Sequence, residues 1–91
     1  MRNNNNTTDK QHADNYFATA PKGMLDTMQG IIRKHIDKGT IGIFASMDGY
    51  TDSDKNKLSA YRVVASDMGI TIGQWVLNRK TGVARATITQ S

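Results

Sequence analysis

The sequence contains no cysteine, only one proline and one tryptophan, and no long apolar run. Without cysteine the chain cannot form disulfides, supply a thiolate nucleophile or bind zinc through sulfur. No run approaches the roughly 20 apolar residues that a transmembrane helix needs, and the first residues lack the apolar stretch of a signal peptide. These absences predict a cytoplasmic protein with no membrane partner.

Glutamate is also absent, so all eight acidic residues are aspartate. Aspartate competes for local backbone hydrogen bonds and therefore favours turns and helix N-termini. Asp48, Asp52 and Asp54 lie close together, and clustered carboxylates suit a hard cation, but their spacing does not match the common calcium loop. We therefore predict that they serve local structure and that the chain has no metal site.

The length of 91 residues fits one domain. The polar start, with four consecutive asparagines, predicts a disordered tail over residues 1–15 and one folded domain over residues 16–91. A domain near that size buries only about 60% of its unfolded surface, so its margin of stability is thin. Binding to a partner, or to a second copy as a homodimer, would add to that margin.

A helix and a strand are predicted first. Apolar residues recur every three or four positions from Met24 to Ile36, which places them on one helix face, and Gly39 follows as a C-terminal cap. Thr40–Met47 is rich in β-branched and apolar residues, which predicts a strand. Because Phe44 adds an apolar side chain to the second face, we expect this strand to be largely covered.

A second helix is predicted from about Asp52 to Met68. Thr51 and Asp54 stand three residues apart, as in a capping box that uses aspartate. Gly69 follows the last turn, where a glycine commonly ends a helix.

The segment after Gly69 allows two interpretations. In the first, Ile70–Asn78 and Val83–Gln90 are strands joined by a turn that ends in Gly82, a β-hairpin. The fold is then α+β, in the order helix, strand, helix, strand, strand. We favour it because a glycine inside a helix costs about 1 kcal/mol against alanine, and Gly73 and Gly82 would both incur that cost.

In the second interpretation Thr71 caps a further helix of a helix-turn-helix or ribbon-helix-helix motif, and the protein is a dimeric DNA-binding regulator. In the ribbon version Thr40–Met47 would enter the major groove. Gly42 and Phe44 would then face the bases, although neither side chain can hydrogen-bond a base edge.

No group of residues specifies a reaction, since the chain has no glycine-rich phosphate loop and no serine elbow. We therefore predict that it is not an enzyme and uses no cofactor. No acidic residue follows Asp67, whereas three basic residues do. Basic residues beside an aromatic ring suit a protein or nucleic-acid partner. The predicted contact residues are Trp75, Arg79, Lys80 and Arg85.

The stretch from Met24 to Gly69 resembles small, uncharacterised tailed-phage accessory proteins. The resemblance is carried by IIRKHIDKGTIGIFASM followed by DSDKNKLSAYRVVASDMGI: a short helix, a glycine, an apolar strand, a polar helix start and a long helix. Gly49 and Tyr50 depart from that pattern. The resemblance implies a phage or mobile-element factor for host takeover or anti-defence, an inhibitor that acts in the bacterial cytoplasm by binding a host macromolecule.

Overall fold

The computed structural model describes residues 4–45 and 51–90, with only the backbone described for residues 4–8. Three helices and four strands follow in the order α1 (Asn4–Thr19), α2 (Met24–Ile36), β1 (Thr40–Phe44), α3 (Asp52–Asp67), β2 (Ile70–Ile72), β3 (Val76–Asn78) and β4 (Val83–Gln90). The fold is α+β, as predicted. Met47 and Asp48, which the sequence analysis assigned to a strand end and a turn, lie outside the described residues.

Strand β4 runs through the middle of the antiparallel sheet. On one side it pairs with β1, from Thr40 opposite Thr87 to Phe44 opposite Val83. Along its other side it pairs with β2 and β3. The predicted C-terminal hairpin is thereby confirmed, and the helix that the second interpretation placed after Gly69 is replaced by strands.

The predicted strand Ile70–Asn78 is divided by a β-bulge. Ile72 pairs with Ile88 and Val76 with Arg85, so three residues on this strand stand opposite two on β4. The Gly73 amide donates to the Thr87 carbonyl at 2.8 Å. A Cβ atom at Gly73 would lie 2.6 Å from the Thr87 hydroxyl oxygen, so a larger residue there would force the Thr87 side chain to move.

The hairpin turn depends on a second glycine. Gly82 has a φ of 70°, in the left-handed region that disfavours other residues. Its amide donates to the Asn78 carbonyl at 2.8 Å, and the Asn78 side-chain oxygen accepts from the Lys80 amide at 2.9 Å. These bonds close the chain between β3 and β4.

The helices cover one face of the sheet, which we call the inner face. Helix α2 contacts β1 and β4, α3 contacts β2, and α1 packs against α3. The inner face contributes buried side chains at Ile41, Ile43, Ala84, Ala86 and Ile88. None of the helices in residues 4–45 and 51–90 combines the length and apolar character needed to cross a membrane.

The expectation that the first strand is largely covered is wrong. Strand β1 lies at an edge of the sheet, and Phe44 is 76% exposed on the face that carries no helix. Phe44 alone had given that face its apolar character, since its neighbours there are Thr40 and Gly42. A single aromatic residue on a strand face does not indicate a second covering layer, and the described structure has none on this face.

The structure also differs from the predicted disordered tail over residues 1–15, since helix α1 begins at Asn4. Ala13 is 1% exposed in the contact between α1 and α3. The Asp9 carboxylate lies 3.2 Å from the Arg62 guanidinium and accepts a hydrogen bond from the Ser59 hydroxyl at 3.3 Å. Contacts with α3 hold this helix in place, and its short apolar stripe of Ala13, Tyr16 and Phe17 packs against the core.

An aspartate at position 13 should release α1. Ala13→Asp would bury an unpaired carboxylate and lower the free energy of unfolding by at least about 2 kcal/mol. The matched control is Ala18→Asp, on an exposed position of the same helix, which should change little. Urea unfolding gives the two values, and amide hydrogen exchange locates the loss in α1; equal stability of the two variants would contradict the packing of α1.

Two glycine-to-alanine changes should act in opposite directions. Gly82→Ala forces alanine into a positive φ and should cost about 1 kcal/mol of stability or more. Gly30→Ala lies inside α2, where an added Cβ meets nothing within 4 Å, and should stabilise by about 0.5–1 kcal/mol. Thermal unfolding of both variants measures the difference, and a stabilised Gly82→Ala protein would refute the turn geometry.

Candidate binding surface

The sheet surface opposite the helices, here the outer face, is exposed to solvent. Side chains alternate between the two faces of a strand, and burial along β1 and β4 alternates accordingly. Nearly all residues of the outer face are exposed, and only Val83 is half-buried. The outer face consists of Thr40, Gly42, Phe44, Thr71, Val76, Asn78, Val83, Arg85, Thr87 and Thr89.

The outer face carries apolar side chains that pack against no helix. Phe44 is 76% exposed and Val76 is 69% exposed. Phe44 stands directly opposite Val83, and Val76 stands opposite the next outward residue of β4. Single exposed apolar residues are ordinary, but here an aromatic ring and two valines lie across adjacent strands.

Arg85 occupies the centre of this face. It pairs with Gly42 on β1 and with Val76 on β3. A Cβ atom at Gly42 would lie 3.7 Å from Arg85 Cγ and 3.3 Å from a Val83 methyl, so both side chains border the glycine. No aspartate belongs to the outer face, and Arg85 makes no ion pair within the described residues.

The turn between β3 and β4 adds two further cations. Arg79 and Lys80 are exposed and have no ion-pair partner in the part of the chain that the structure describes. Two rows of outer-face residues follow the turn: first Phe44, Val83 and Asn78, then Gly42, Arg85 and Val76. The ring of Phe44 therefore lies in the row between the cations of the turn and Arg85.

Trp75 lies on the opposite side of the sheet from Arg85. Its ring nitrogen donates to the Leu58 carbonyl of α3 at 3.2 Å. Its ring meets that of Tyr61 edge to face, with centroids 6.5 Å apart. The structure thus places Arg85 on the outer face and Arg79 and Lys80 in the adjoining turn, and it separates Trp75 from all three.

Phe44 and Val76 are apolar surface residues outside the predicted contact set, although the ribbon interpretation placed Phe44 facing the bases. Phe44 was assigned to a covered strand, and Val76 to the hairpin without a stated face. The signal that was available for Phe44 is its setting, since an aromatic residue alternating with Thr40 and Gly42 is isolated on its own face of the strand.

Two grooves of about 310 and 230 Å³ lie beside α3, on the helical side of the sheet. Both are bordered by Asp9 and Arg62, whose side chains form an ion pair between them. Because these two charges are paired, they offer little net charge to a ligand. Among the described residues no group of three or more histidine and aspartate side chains is placed to hold a metal ion.

The fold shifts the pKa of Tyr61. Burial raises the pKa of its phenol, and the nearby Tyr16 raises it further. The shift is away from neutrality, so the phenol stays protonated at ordinary pH. It behaves as a packed ring under Trp75 rather than as a base or nucleophile.

Comparison of the chain with protein-family models, with curated proteins and with solved structures found no match. The resemblance of Met24–Gly69 to tailed-phage accessory proteins therefore stays a prediction. Function is inferred below from the chemistry of the outer face and the adjoining turn.

Replacing Trp75 should affect stability rather than binding. Trp75→Phe removes the hydrogen bond to the Leu58 carbonyl and should cost about 1 kcal/mol, whereas Trp75→Ala also removes the ring from Tyr61 and should cost about 3 kcal/mol. Urea unfolding followed by circular dichroism measures both. A Trp75→Phe protein of unchanged stability that has lost partner binding would reverse this assignment.

Proposed function

We propose that this chain is a small non-catalytic binding protein that engages a macromolecule through the outer face and the β3–β4 turn. The observation that supports it most is the exposed ring of Phe44 between cations that have no ion-pair partner among the described residues. Burying the exposed apolar groups against a partner is favourable. The neighbouring unpaired cations select a partner of opposite charge.

The state of the two histidines also favours binding over catalysis. The His12 Nδ1 donates a hydrogen bond to the Asn56 side-chain oxygen at 2.8 Å, and the His35 Nδ1 donates to the Ile31 carbonyl at 2.8 Å. A general base must lie within reach of a nucleophile. Within the described part of the chain, neither histidine is hydrogen-bonded to a serine, threonine or tyrosine hydroxyl, and they lie on different helices, α1 and α2.

The biological setting we propose follows from the resemblance of Met24–Gly69. A phage-encoded accessory factor for host takeover or anti-defence would act in the bacterial cytoplasm and bind a host macromolecule, either a protein or a nucleic acid. An open surface on a small rigid sheet is suited to inhibition by direct binding, because few groups need to be ordered when the complex forms.

The alternative of a dimeric DNA-binding regulator loses the elements on which it depends. Its recognition helix would start near Thr71, where the chain forms β2, a bulge and β3. Its ribbon would be Thr40–Met47, whose described part is paired with β4 of the same chain. No observation on the described residues favours it over the first proposal.

Removing the two cations of the turn should reduce binding. The tagged full chain is incubated with bacterial lysate, with and without nuclease, and retained components are quantified. The Arg79→Ala/Lys80→Ala variant should retain at least about fivefold less of the specific component, as expected when interface cations are truncated. The turn is exposed, so thermal unfolding should be unchanged.

The matched control is Arg33→Ala/Lys34→Ala, which removes the same charge from exposed positions of α2 on the helical side. It should retain the component like the unmodified protein. Equal retention by all three proteins, or no component above background, would show that this surface does not mediate binding.

A further inference from the structure

We infer that the outer face binds single-stranded nucleic acid, with an unpaired base stacked on Phe44 and the flanking phosphates held by Arg79, Lys80 and Arg85. This inference rests on the proposed function and names the partner class for the same surface. It depends on three features: an available ring, cations on both sides of it, and the absence of opposing charge.

The Phe44 ring is available on a fixed backbone. Strand β1 is paired with β4 along its whole length, and Lys57 Nζ donates to the Phe44 carbonyl at 2.9 Å. Gly42, two residues before Phe44 on the same face, has no side chain and does not obstruct a base stacked on the ring. An aromatic ring on an open sheet is a common platform for an unpaired base, because every base presents a π face.

The cations stand where a strand of nucleic acid would place its phosphates. The Phe44 row lies between the turn, with Arg79 and Lys80, and the row of Arg85. A residue on the diagonal of two antiparallel strands is roughly 7–8 Å away, within reach of a long side chain. Arg85 is therefore within reach of one phosphate beside a base stacked on Phe44, and Arg79 and Lys80 lie toward the turn, on the other side of the Phe44 row.

Threonine hydroxyl groups lie on the outer face beyond Arg85, on the side away from the turn. Thr40, Thr87 and Thr89 are exposed on the outer face, and threonine side chains commonly bond phosphate and sugar oxygens. Among residues 4–45 and 51–90 no aspartate lies on this face, so none of the described side chains there repels a polyanion. This composition suits a phosphate backbone better than an acidic peptide, which has no planar base for the ring of Phe44.

Two other occupants fit less well. A second copy of the chain, placed face to face across a twofold axis near the centre of the sheet, would bring two Arg85 guanidinium groups together. A nucleic-acid duplex keeps its bases stacked inside, so it offers phosphates to the cations but no free base to Phe44. A single strand uses both.

The test measures fluorescence anisotropy of labelled homopyrimidine DNA and RNA single strands of about 12 nucleotides, within the site size of one small module, and of a duplex of equal length. The full chain should bind single strands more tightly than duplex. Three phosphate contacts give a salt slope near −2, so raising salt from about 50 to 200 mM should weaken binding about 20-fold. The DNA and RNA arms show which strand is preferred.

Variants separate stacking from charge. Phe44→Thr keeps β propensity and should weaken binding at least about fivefold, whereas Phe44→Trp should retain it because stacking is preserved. Arg85→Gln should also weaken binding and flatten the salt slope by about 0.7. The control for loss of an exposed apolar group is Leu25→Gln on α2, where Leu25 is 48% exposed, and it should bind like the unmodified protein.

The inference is overturned if no oligonucleotide binds, if duplex binds as tightly as single strands, or if Phe44→Thr binds like the unmodified protein. If oligonucleotides fail while the lysate component survives nuclease and still depends on Arg79 and Lys80, the partner is a protein, and the proposed function stands without this inference. If no lysate component is retained, or if its retention does not depend on Arg79 and Lys80, both are wrong.

Discussion

Pairing of β4 along both of its sides is the constraint on which the rest of the fold depends. In the described structure β4 lies between β1 on one side and β2 and β3 on the other. The described helices cover the inner face of this sheet. Ala84 and Ala86 are small and buried on the inner face, which lets the helices approach the strand closely. Because the described helices all collect on that side, the outer face of the same strand is left for solvent or a partner.

The elements that sequence predicts well are those with a local cause. Helices α2 and α3 have apolar residues at helical spacing, and the capping box forms as expected, since Asp54 N donates to Thr51 Oγ1 at 3.2 Å. Gly82 likewise marks its turn through its own backbone. Helix α1 has only a short apolar stripe, Ala13, Tyr16 and Phe17, at the end of a polar segment, and part of its support comes from Ser59, which is 50 positions from Asp9. Long-range polar contacts of this kind are not visible in periodicity.

The candidate surface was predicted in part, and the bulge explains the misplaced residue. Charge pattern alone identified Arg79, Lys80 and Arg85. Strict alternation from the buried Ile72 would put Trp75 on the outer face, but the extra residue in the bulge reverses the alternation, so Trp75 points toward α3. A one-residue shift exchanges the two faces of a strand, and no rule applied to a single sequence locates such a shift reliably.

Strand β1 lies at an edge of the sheet, where a strand of a second copy could pair with it. An open edge with an apolar ring is a template for further strand pairing. Strand β1 is short, and Lys57 occupies the carbonyl of Phe44, which places a positive charge at the end of the edge. Arg85 adds a second positive charge on the adjoining face. Both charges would repel the same charges on a second copy, and they complement the polyanionic partner that we propose.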